Sequence, residues 1–149
     1  MKYLLVLSSI AIFHVASAQS EEDSVKAAVN QLFTAMKNAD SVSLINSFTD
    51  SAILQTIENT KEGKVAVHSE STAEFAKQIG KLQKGSADER ITFDVLRVDG
   101  PLAIVWAPYK FYYKGKFSHC GADSFELVRV KGKWKIQYLI DTRRTQGCE

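Results

Sequence analysis

The feature that most constrains this chain is a change of period at Arg90. From there on, apolar and polar residues alternate with period two, in "ITFDVLRV", "LAIVWAPYKFYY", "FSHCGADSFELVRV" and "WKIQYLIDTRR". Three short glycine-containing turns, "DGP", "KGK" and "KGK", separate these runs. Four strands joined by three tight turns predict an antiparallel meander. Strands of roughly a dozen residues are long, and imply a strongly bent sheet. Pro108 and Gly121 fall inside strands, where bulges or kinks are expected.

Before Arg90 the period is helical. Val25, Ala28, Val29, Leu32, Phe33, Met36 and Ala39 form one stripe of a first helix. Asp40 is placed to cap a short second helix, "SVSLINSF". "TDSAILQTI" reads as a strand, and "TKEGK" as a solvated loop. A third helix starts at "STAEFAKQIGKL", where Ser71 and Glu74 have capping-box spacing. It ends near Gly85, a plausible C-cap. His68, just before that helix, reads as a surface residue. Three helices must cover the apolar face of the sheet. The expected fold is therefore an α+β, cone-shaped roll with a cavity between helices and sheet. Phe33, Met36, Phe48, Phe75, Trp106, Phe111, Phe125 and Trp134 either fill that cavity or line it.

The first 18 residues read as a leader rather than as part of the fold. Lys2 supplies a positive start, "YLLVLSSIAIF" an apolar run, and Ala16, Ser17 and Ala18 a small-residue cleavage site. A secreted or periplasmic protein, cleaved after Ala18, is expected. Residues 19–149 then form a single domain, long enough for a real core. The formal net charge of +2 includes Lys2, so the mature chain is too balanced to suggest nucleic acid or an anionic membrane as partner. No CxxC, HxxxH or HExxH pattern is present, so no metal or other cofactor is expected. Export permits disulfides.

The layout resembles the nuclear transport factor 2-like superfamily, which also holds ketosteroid isomerase, scytalone dehydratase and SnoaL-like polyketide cyclases. "AVNQLFTAMKNADSVSLINSFTDSAIL" is similar to that superfamily's opening helices and first strand. "SFELVRVKGKWKIQYL" is similar to its closing hairpin. The ending "DSFELVRVKGKWKIQYLIDTRR" most resembles the exported subgroup labelled putative lumazine-binding. The resemblance spans roughly residues 21–145 and implies a cystatin-like roll. Its implication for function is weak, because the fold hosts many unrelated activities. It also implies a possible homodimer through the outer sheet face.

Within "SHCGADSFELVR", His119 and Asp123 share a strand face but lie about 13 Å apart at roughly 3.3 Å per residue. They cannot act as a direct dyad. A buried Asp or His needs a partner or a wet cavity. Gly121 lies between them and leaves room for a ligand to approach the backbone. A three-residue "KGK" loop would set His119 opposite Phe111 and Gly121 opposite Tyr109. For the last hairpin, a two-residue loop would set Phe125 opposite Tyr138 and Asp123 opposite Ile140. That register keeps both apolar faces consistent and puts Asp141 and Arg143 outside. A three-residue loop, or a bulge near Tyr138, would instead bring Asp141 inside against Asp123.

The expected lining is Trp106, Tyr109, Phe111, His119, Asp123, Phe125 and Tyr138, around an unknown small, partly apolar molecule. Packing or a satisfied polar pair is the competing reading for each. Cys120 has the opposite parity to His119. The chain offers one intramolecular pairing, Cys120 with Cys148, if the tail folds back to bring the Cα atoms within about 7 Å. No residue is placed to activate Cys120 as a nucleophile. A binding domain without catalysis is the first expectation. The alternatives are a cofactor-independent isomerase, dehydratase or cyclase using His119 or Asp123 as acid or base, and an interaction module with a filled cavity.

Overall fold

The structure is a computed structural model. It describes residues 11–60 and 63–148, with side chains from residue 21 onward. Most of the expected leader, residues 1–10, and two residues of the expected "TKEGK" loop lie outside the described residues. Helix α1 spans Ala11–Lys37, α2 Ser41–Ile45 and α3 Thr72–Ile79. Val25, Val29, Leu32, Ala35 and Met36 form the buried stripe of α1, the spacing that a 3.6-residue repeat requires. The Asp40 carboxylate accepts from Ser43 N at 3.0 Å and caps α2. Ser71 Oγ accepts from Glu74 N at 3.1 Å and caps α3. Helix α3 stops at Ile79 with Gly80 as its C-cap, earlier than Gly85, which sits in the following turn with φ +82°.

Seven strands form one sheet: β1 (Phe48–Asn59), β2 (Val65–Glu70), β3 (Ala87–Ile91), β4 (Val95–Asp99), β5 (Leu102–Tyr113), β6 (Lys116–Val130) and β7 (Lys133–Thr142). The order is β2-β1-β7-β6-β5-β3, with β4 also paired to β5. The meander from β4 to β7 is antiparallel as expected. The sheet is not wholly antiparallel, because β1 runs parallel beside β7. Strand β2, which carries His68, occupies the stretch expected to lead directly into α3; it pairs with β1.

The single strand expected from Ile91 to Val98 is broken into β3 and β4. Ile91 pairs with Tyr109 and Val95 with Trp106, so one extra residue separates them on the β3–β4 side. Pro108 explains the break. Its carbonyl accepts from Thr92 N at 2.9 Å, so its nitrogen, which has no hydrogen, faces the same neighbour. The β5–β6 pairing is regular through Pro108 and Gly121.

Both "KGK" turns are two-residue turns. Lys114 and Gly115 have φ of 51° and 76°, and Lys131 and Gly132 have 50° and 78°. Positive φ at both positions is what a tight hairpin with right-handed twist needs. The inner sheet face and α1 enclose the core. Phe125, Leu127, Ile136, Val105, Val25, Val29 and Leu44 are fully buried there.

Candidate functional site

Beyond that core the sheet and helices separate around a cavity of about 290 Å³. Helices α1 and α3 supply its apolar side through Leu32, Phe33, Met36, Phe75 and Ile79. The sheet supplies a polar wall: Thr56, Glu70, Glu89, His119, Asp123 and Asp141, with Arg143 just past β7. Phe33 lines the cavity and packs edge-on against Phe125, with ring centroids 6.1 Å apart. Phe125 therefore lies beneath the floor rather than on it.

Two bulges build the polar wall. In the β5–β6 hairpin, Tyr112 pairs with Phe117 but Phe111 pairs with His119, so Ser118 is the extra residue. In the β6–β7 hairpin, Leu127 pairs with Ile136 but Glu126 pairs with Tyr138, so Gln137 is extra. Each bulge reverses the parity of the residues beyond it. The first gives the expected opposition of His119 to Phe111 and Gly121 to Tyr109, through a two-residue turn plus a bulge instead of a three-residue loop. The second overturns the favoured register. Asp123 faces Asp141, not Ile140, and Phe125 faces Leu139, not Tyr138. Asp141 and Arg143 come inside, and Tyr138 turns outward, its hydroxyl 2.7 Å from Gln55 Oε1.

Asp141 is well served. Thr56 Oγ1 donates to its Oδ1 at 2.6 Å, and Arg143 Nε donates to its Oδ2 at 2.9 Å. The Tyr109 hydroxyl lies 3.1 Å from Asp141 Oδ2 and 2.9 Å from the Thr142 carbonyl, one proton between two acceptors. Burial and the surrounding carboxylates push the Tyr109 phenol far above its ordinary range, so it acts only as a donor.

Asp123 has no such support. It is 3% exposed, and its Oδ2 has no hydrogen-bond partner. Burial, then the charge of Glu89, holds its carboxyl well above the usual range. Glu89 is only partly buried by area because it faces the cavity, yet burial pushes it up to about 7. The two carboxyls are close enough to share a proton. As two carboxylates they have only acceptors to offer each other; one proton turns the pair into donor and acceptor. Asp88 makes the contrast. It is also buried, but Lys37 at 2.8 Å and Arg90 at 2.9 Å pair with it and hold it below the ordinary range.

Gly121 does not leave a gap for a ligand. A Cβ there would meet the Thr142 carbonyl oxygen at 1.7 Å and the Tyr109 ring at 2.7 Å. The space over its α-carbon is occupied by the backbone end of β7 and by Tyr109. On the far side of the strand, Cys120 is bonded to Cys148, with Cα atoms 5.7 Å apart. The tail folds back as expected: Cys120 and Arg144 exchange backbone hydrogen bonds of 2.9 Å each. His119 and Arg143 line both the cavity and an outer recess beneath this tail, and so form the cavity mouth. Burial, then Arg143, lowers the His119 imidazole below its ordinary value, which keeps it neutral near pH 7.

Of the expected lining residues, Phe111, His119 and Asp123 face the cavity. Tyr109 stands behind the wall, and Phe125 under the floor. Trp106 lies on the outer face, 42% exposed, because Pro108 leaves the parity of β5 unchanged. Glu89 was not anticipated, since "QKGSADE" reads as a helix end. Its signal is parity: Ala87, Glu89 and Ile91 alternate with period two, Ala87 lies in the core and Ile91 packs against it. Among the described residues no cluster of His, Cys, Asp or Glu could hold a metal ion.

The family described as "Putative lumazine-binding" matches residues 20–138. An NTF2-like protein of unknown function from Shewanella baltica OS155 superposes with a TM-score of 0.65 at 16% identity, covering 86% of this chain and 97% of that one. A protein of unknown function with a cystatin-like fold from Nostoc punctiforme PCC 73102 gives 0.66 at 8% identity, covering 85% and 93%. A ketosteroid isomerase-like protein from Erwinia carotovora atroseptica SCRI1043 gives 0.60 at 17% identity, covering 84% and 97%. Comparison with curated proteins gives no match. These structural likenesses establish an NTF2-like, cystatin-like fold, and the match over residues 20–138 places the chain in the "Putative lumazine-binding" family.

Proposed function

We propose that this protein is an exported binding domain that holds a small, partly apolar molecule in the cavity between α1, α3 and the sheet, without transforming it. The observation that carries this reading is the cavity itself. It is about 290 Å³, apolar on the helical side and polar on the sheet side, which is the usual make-up of a small-molecule site. The leader-like start and the Cys120–Cys148 disulfide support export. The outer sheet face supports a homodimer: Ile53, Leu102, Ile104 and Trp106 are each at least 40% exposed there.

One observation favours the catalytic alternative. Two carboxyls sharing a proton beside an apolar wall are an acid–base pair in form. Asp123 and Glu89, rather than Asp123 and His119, are the groups that such a reaction would use.

Heteronuclear NMR on the full chain tests binding. Titration with lumazine, named in the family's description, and with benzamide should shift resonances of Phe75, Ile79 and Leu139. Ile79→Trp, which fills the cavity, should abolish the shifts. Shifts confined to other surfaces, or none at millimolar ligand, would refute a binding cavity.

A further inference from the structure

We propose that the cavity selects molecules with a positively charged, N–H-rich head, such as an amidinium or protonated amine, which docks against the Asp123–Glu89 pair. This rests on the binding reading above and names the class of ligand. The argument begins with the acceptor left over. Asp123 lines the cavity, and its buried Oδ2 has no hydrogen-bond partner. A buried carboxylate oxygen without a donor destabilises the folded chain and favours any ligand that supplies one. Among the described residues that line the cavity Arg143 is the sole cation, and Asp141 engages it at 2.9 Å. Its remaining reach goes to Thr56 Oγ1, at 3.1 Å. Gln78, the amide on α3, donates to Glu70 at 2.6 Å. Four carboxyl groups thus share the wall with one guanidinium; three of the four have no paired cation, and of these only Glu70 receives an amide N–H. A ligand with two or more N–H donors would supply what the protein withholds, and its apolar body would rest on Phe75, Ile79 and Phe33.

The groups facing the pair are Glu70 from β2, Tyr109 from β5, His119 from β6, Asp141 from β7 and Arg143 beyond it. The parts of α1 and α3 that line the cavity add no ionisable group. His119 is neutral near pH 7. At low pH the resident proton satisfies Asp123 and Glu89 by itself. A cation must displace that proton, so its binding strengthens as pH rises past about 7, the value to which burial lifts Glu89. Arg143 at the mouth would favour an anion instead, and an anionic probe makes that outcome visible.

Three probes of one size separate the possibilities: benzamidine, benzamide and benzoate, titrated into the full chain by calorimetry and NMR. Near pH 8 benzamidine should bind about tenfold or more tighter than benzamide. That preference should collapse near pH 5, and near pH 8 in Asp123→Asn or Glu89→Gln. Equal binding of benzamidine and benzamide near pH 8, or tighter binding of benzoate, overturns the selectivity and leaves the binding cavity standing. Failure of all three to bind overturns both.

Discussion

The two ends of the inner sheet face are built from the same two strands, β6 and β7, and treat their contents in opposite ways. At the end near the Lys131–Gly132 turn, Phe125, Leu127 and Ile136 meet Val25, Val29 and Leu44 with no space between them. At the other end the same strands present Asp123, His119 and Asp141 to a cavity. The difference lies in the two bulges. Before Gln137, β7 buries Trp134 and Ile136; after it, the parity changes and Leu139 and Asp141 turn inward. One extra residue converts a continuous apolar strand into a core half and a polar half. The closed end carries stability, and the hollow end holds charge that stability would not select.

Substitutions can break or sharpen that contrast. The largest effect is expected where the hollow end is nonetheless tightly packed. Gly121→Ala places a methyl 1.7 Å from the Thr142 carbonyl oxygen, so urea denaturation should show a loss of about 4 kcal/mol or failure to fold. A loss below about 1 kcal/mol would show that β7 does not sit over Gly121 as described.

Next comes the closed end. Phe125 is fully buried, so Phe125→Ala should lower stability by about 3–5 kcal/mol in the same assay. If it cost no more than Phe111→Ala at the cavity edge, the two ends would not differ in packing.

Asp123→Asn should act in the opposite direction. It removes a buried charge and gives Glu89 a donor. Stability near pH 8 should rise by about 2 kcal/mol, with little change near pH 5. Linkage sets the sign. Asp123 and Glu89 bind their protons more tightly when folded than unfolded. Their contribution is therefore fully present below the ordinary carboxylate value and is lost as pH rises through about 7. Wild-type stability should fall from pH 5 to pH 8, and the fall should shrink in Asp123→Asn. A loss of stability near pH 8 would mean that the Asp123 carboxylate has a structural partner.

The smallest effect is expected at Tyr109→Phe. Its hydroxyl serves Asp141 and Thr142, but Asp141 keeps Thr56 and Arg143. The cost should be about 1 kcal/mol, and equality with Phe125→Ala would erase the distinction drawn here.

These elements were unequally legible in the sequence. The helices and the four-strand meander follow from periodicity and turn chemistry, because burial of one face enforces both. The Phe111–His119 opposition is legible although the loop length is not, because a two-residue turn with the Ser118 bulge gives the same offset as a three-residue loop. The Gln137 bulge left no mark of its own, since Gln is no bulge signal. Asp141 and Arg143 were therefore placed outside in the favoured register. Glu89 was hidden because a five-residue strand after a helix is too short for alternation to stand out. Gly121 was legible as a special position, but which group occupied its space depended on where Thr142 ended β7.

The central claim is that Asp123 and Glu89 are buried together without a cation and share a proton. A pH titration of side-chain carboxyl carbons by NMR tests it most directly. The account predicts a Glu89 midpoint near 7 and an Asp123 midpoint well above the ordinary carboxylate value. Titration of both groups near the ordinary value of about 4 would contradict it.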